Sequence, residues 1–127
     1  MNIQVSNGEL VDKVTILKIK SEKIKDEHKL SNVLKEYNYL KTKMHLIKIT
    51  EQSSSYLKLY DVNLKLWKIE DDIRAKHQLN QHDQQFIDLA VSVFVTNDLR
   101  AKIKKEINLN TNSELVEEKS YQEYSKN

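Results

Sequence analysis

A chain of 127 residues, 39% of them apolar and 31% charged, is long enough for one small core and too short for two of ordinary size. A single glycine (Gly8) and no proline argue against a β-rich fold, whose turns draw on both. The lack of cysteine excludes disulfides and thiolate metal sites, and a net charge of +2 falls short of the dense basic face of a nucleic-acid binder.

The charge is unevenly divided. Residues 1–50 hold ten lysines against six acids, and residues 51–127 hold eleven bases against thirteen acids. Met1 to Gly8 lack the apolar core of a signal peptide. The longest strongly apolar stretch, Leu89 to Val95, is far below the ~20 residues of a membrane span. A cytoplasmic protein without nucleic-acid or membrane partners is the expectation.

Ser6-Asn7-Gly8-Glu9 has the spacing of a capping box and opens a first helix. Leu10, Val14, Leu17, Ser21, Ile24 and His28 recur there at three- and four-residue steps, so the helix is expected to run to about His28. The register shifts around Lys29 to Asn32. Either Ser31 or Asn32 caps a second helix there, or one long helix continues with a kink. Leu30, Leu34, Tyr37, Leu40, Met44 and Ile47 make the next stripe, and Thr50 to Ser55 is a polar loop.

A third helix is expected from about Tyr56 to Lys76. Leu59, Val62, Leu66, Ile69 and Ile73 line one side, and Tyr56, Tyr60, Asn63, Trp67, Glu70 and Arg74 line the neighbouring one. Asn80 or Asp83 can cap a fourth helix carrying Phe86, Ile87, Ala90, Val93, Phe94, Ala101, Ile103 and Ile107. It is the most apolar segment and the one expected to be most buried. A short helix is expected over Ser113 to Tyr121, with residues 122–127 frayed. The fold class is therefore all-α: antiparallel helical hairpins forming one small bundle over residues 1–121, with about four long helices and a short terminal one. Thin apolar stripes of this kind suit coiled-coil-like pairing with a second copy.

Only two of the 21 basic residues are arginines, Arg74 and Arg100, and each closes a polar cluster. The planar guanidinium fork is not interchangeable with the point charge of lysine. Glu70, Asp71, Arg74, Asn97, Asp98 and Arg100 are accordingly the candidate cluster, and a buried arginine here would need an acid among Glu70, Asp71, Asp98, Glu9 or Asp12. Glu9 and Asp12, at i,i+3 on one face, are weak candidates for a divalent cation. Acids in a first helical turn also simply complement the helix dipole. His28, His45, His77 and His82 form no HExxH spacing and read as solvated or packing residues.

Four segments, GELVDKVTIL (Gly8–Leu17), LWKIEDDIR (Leu66–Arg74), TNDLRAKIKKEIN (Thr96–Asn108) and SELVEEKSY (Ser113–Tyr121), together resemble a small all-helical family of bacterial and phage proteins of unknown function. The resemblance spans nearly the whole chain and implies a fold but almost nothing about activity. The leading functional expectation is a self-associating interaction or scaffold module, a homodimer open to a protein partner and needing no cofactor. The alternatives are a magnesium-dependent all-α nucleotide pyrophosphatase-like hydrolase, or a binder of small anions at the arginines.

Overall fold

The computed structural model describes residues 1–120. Four helices follow one another: α1 (Asn7–Lys23), α2 (Glu27–Leu46), α3 (Ser54–Gln78) and α4 (Gln84–Asn110), with no strand among the described residues. Short connections make two hairpins, α1–α2 and α3–α4. The central element is α1, which packs against each of the other three helices. None of the helices in the described residues is long and apolar enough to cross a membrane.

The caps explain the boundaries. Ser6 accepts a hydrogen bond from the Glu9 amide at 3.1 Å, as the capping pattern requires. Glu9 does not reach back; its carboxylate is held by Lys104 instead. The break between the first two helices comes earlier than Lys29 to Asn32, because Ile24 is extended and Asp26 caps α2 by accepting from the Lys29 amide at 2.9 Å. Aspartate is a strong cap, and it ends a register that apolar spacing alone would carry on to His28. Of the two expected caps for the fourth helix, Asp83 accepts from the Phe86 amide at 3.0 Å, while Asn80 takes a left-handed conformation in the turn. No helix forms over residues 113–120, contrary to expectation, and residues 121–127 lie outside the described part. The polar groups of residues 113–118 instead reach back to the main bundle, with Ser113, Glu117 and Glu118 bonded to Asn7, Lys104 and Lys105.

Val11, Val14 and Leu17 of α1 form the core with Tyr37 and Met44 of α2, Ile49, Tyr56, Leu59, Val62 and Leu66, and Ile103 and Ile107 of α4. The most buried helix is thus α1, with seven buried positions in 17 residues, against four in the 27 of α4. The expectation that the fourth helix would be deepest is overturned by geometry. It carries apolar residues all around its circumference, and only one side meets α1 and α3. No side chain from Glu70 to Val95 is fully buried. That stretch forms an arm, the distal half of the α3–α4 hairpin, with no third helix over it.

Three tyrosines sit where the helices meet. Tyr60 donates to Glu22 Oε1 at 2.6 Å, and this hydrogen bond is the main reason its pKa is pushed up to about 12. Burial raises Tyr56 and Tyr37, and the charge of Glu51 adds to both. The Tyr56 hydroxyl is fully buried without a well-formed hydrogen bond. Groups whose folded pKa lies above the unfolded value contribute stability that is complete below pH ~10 and is lost as pH rises through the folded pKa. The expected result is a loss of helicity between pH ~10 and ~12, in step with phenolate absorbance. Full phenol ionisation near pH ~10 with unchanged helical circular dichroism would contradict it.

Candidate functional site

The sole glycine marks where α1 and α4 come closest. A Cβ at Gly8 would collide with the backbone carbonyl of Lys104, lying within 2.9 Å of its carbon and 3.0 Å of Asn108 Oδ1. The first amides of a helix have no partner inside it, and here the far end of α4 and the residues just beyond it supply them. The Gly8 amide donates to Asn108 Oδ1 at 2.6 Å, and the Asn7 amide donates to Ser113 Oγ at 2.9 Å. The Asn7 side chain adds a bond to Thr111 Oγ1 at 2.9 Å.

One turn further along α1 lies a buried polar junction. The Asp12 side chain is 1% exposed. Its Oδ1 accepts from Arg100 Nε at 2.9 Å and from Asn63 Nδ2 at 2.9 Å, and its Oδ2 accepts from Arg100 Nη2 at 2.5 Å. Asn63 also donates to Thr15 Oγ1 at 2.9 Å, and Thr15 donates to the Asp12 carbonyl at 2.7 Å. Three helices therefore meet on one carboxylate. The fork geometry of arginine allows both oxygens to be engaged at once, which a lysine cannot do. The hydrogen bond to Asp12 holds the Arg100 pKa above the ordinary arginine value against opposing burial.

Lys104, one turn along α4, donates to Glu9 at 2.7 Å and to Glu117 at 3.2 Å, and lies 4.0 Å from Asp12. Burial works against its ammonium, yet the bond to Glu9 and the charge of Asp12 outweigh that and raise its pKa. The junction thus holds three carboxylates (Glu9, Asp12, Glu117) against three cations, Arg100, Lys104 and Lys119, the last paired with Glu117.

The candidate cluster from the sequence is divided. Glu70, Asn97 and Arg100 line a cleft of about 270 Å³ together with Ile16, Ile19, Asn63, Leu66 and Trp67. Arg100 Nη1 points to Asn97 Oδ1 with a long 3.4 Å contact. Asp71 lines a different cleft, on the Lys23 and Lys65 side of Trp67. Arg74 is exposed and lines neither, because the arm has no third helix to cover it. Asp98 is half-buried and also lines neither. Glu9 and Asp12 do share one face, but both are held by cations of α4, so Asp12 is a structural anchor and not merely a complement to the helix dipole. Among the described residues no three carboxylates or histidines gather into a metal-holding group. His77 and His82 meet ring to ring at the tip of the arm, 3.0 Å between nitrogens.

Apart from Asn63, the residues of the junction fall within the segments that carry the family resemblance: Gly8, Glu9, Asp12 and Thr15 in the first, Asn97, Arg100, Lys104 and Asn108 in the third, and Glu117 and Lys119 in the fourth. A family described as a family of unknown function (DUF6165) matches residues 1–125. The chain belongs to that family. No curated protein and no solved structure matches it significantly. The match covers all four segments of the resemblance, and the described residues form a small all-helical fold.

Proposed function

We propose that the protein works by association, as a helical module that self-associates through the outer face of its fourth helix. The observation that carries this reading is the two-sidedness of α4. Thr96, Ile103 and Ile107 are buried on its inner side. Ile87, Val91, Val95 and Leu99 stand 51%, 45%, 36% and 48% exposed on the other. A helix that is apolar around its whole circumference belongs in an interior, and clustered exposed apolar side chains mark an interaction surface. The Asp12 junction then serves as the rigid base that holds the arm in place.

Val95→Asp tests the reading, because it changes the outer face without touching the core. The parent is expected to be dimeric at micromolar concentration by light scattering, and the variant monomeric with unchanged helical circular dichroism. A parent that stays monomeric while α4 keeps its exposed face contradicts the reading.

The hydrolase and anion-binding alternatives draw on the cleft lined by Arg100, Glu70, Asn97 and Trp67. A ligand that binds only the folded state raises its melting temperature. A clear rise with magnesium and a nucleoside triphosphate, abolished by Glu70→Ala, would favour them over association.

A further inference from the structure

The outer face of α4 has a symmetric sequence. Asp88, Val91, Val95, Leu99 and Lys102 follow one another at steps of three, four, four and three residues, so the spacing is the same read outward from Val95 in either direction. All five lie on one side of the helix, and the three apolar ones are exposed. Asp88 and Lys102 are exposed as well. Resting on the self-association reading above, we infer that the partner is a second copy of this chain, docked antiparallel with the two-fold axis at Val95. Val95 then meets Val95, Val91 meets Leu99 of the other copy, and Asp88 meets Lys102 of the other copy at both ends.

Charge selects this pairing from the others that bury the same stripe. Parallel docking places Asp88 on Asp88 and Lys102 on Lys102. An antiparallel axis at Val93 places Asp88 on Asp98, two like charges. An axis at Val91 leaves Asp88 against Phe94. Only the Val95 axis sets opposite charges at both ends of the apolar stripe, as an interface with the same patch on both subunits requires. The seam from Asp88 to Lys102 extends about 21 Å along the helix.

The chain has no cysteine, so single cysteines report the axis directly. A disulfide between copies needs Cα atoms within about 7 Å, which on this pairing only a residue at the axis reaches with its own copy. In the full-length protein under mild oxidation, Val95→Cys is expected to cross-link about tenfold faster than Val91→Cys. Asp88→Lys alone and Lys102→Asp alone are each expected to weaken association about tenfold, and the double swap to restore it. A dimer in which Val91→Cys cross-links faster, or in which the double swap fails to restore affinity, overturns this pairing and leaves self-association standing. A parent that never dimerises overturns both.

Discussion

Replacing Asp12 with alanine is expected to lower the unfolding free energy by about 3 kcal/mol, measured by urea denaturation. Removing one member of a buried ion pair typically costs about 3–5 kcal/mol, since the partner is left desolvated. The lower end applies because the Arg100 side chain remains 28% exposed and can recover some hydration. Asn63 loses its bond to the carboxylate in the same step and keeps only Thr15. Arg100→Lys is expected to cost about 1–2 kcal/mol, because an ammonium cannot span both carboxylate oxygens. Arg74→Lys is expected to stay within about 0.5 kcal/mol of the parent, as substitutions at exposed positions usually do. An Asp12→Ala protein as stable as the parent would mean that the junction does not hold the three helices together.

Gly8→Ala is the second large effect, and its sign is opposite to the one helix propensity gives. Alanine in place of glycine inside a helix ordinarily gains about 0.5–1 kcal/mol. Here the methyl group would enter the backbone of α4 at Lys104, which cannot rotate away as a side chain could. Overpacking of this kind costs about 1–3 kcal/mol and occasionally more. It would also pull the Gly8 amide from Asn108 and spread α1 from α4. A net loss of about 2 kcal/mol is expected. A variant equal to or more stable than the parent would show that α1 and α4 sit further apart.

Gly8 also shows what a sequence conceals. Its low count was legible as a sign of an all-helical chain, and the capping pattern placed it in a helix's first turn, but its packing against another helix was not legible. A pattern along one chain says nothing about the distance to a helix a hundred residues away. The helices themselves were legible because Ser6 and Asp83 cap where they should and the apolar stripes keep helical spacing. The α1–α2 break falls earlier than the stripe implies, because Ile24 keeps the apolar spacing while its backbone is extended and Asp26 starts the next helix. Arg100 stood out as one of two arginines, and Asp12 was among its possible partners. Arg74 stood out equally and turned out exposed, since its own helix could not reveal that α1 ends short of the arm. Asn63 carried a signal that was available, an amide set between Tyr60 and Trp67 on the aromatic part of its stripe. Lys104 carried none, being one lysine among nineteen, and it became important only through Glu9, Asp12 and Glu117.

The exposed face of α4 departs from expectation for a related reason. High apolar content implies depth, but an all-round apolar helix with neighbours on one side has burial still to complete. That incomplete burial is the basis for treating the protein as an association module. Sedimentation equilibrium of the unmodified chain across the micromolar range tests it most directly. The expected result is a reversible, concentration-dependent rise from the 15.0 kDa protomer toward twice that mass. A constant 15.0 kDa across the range would contradict it.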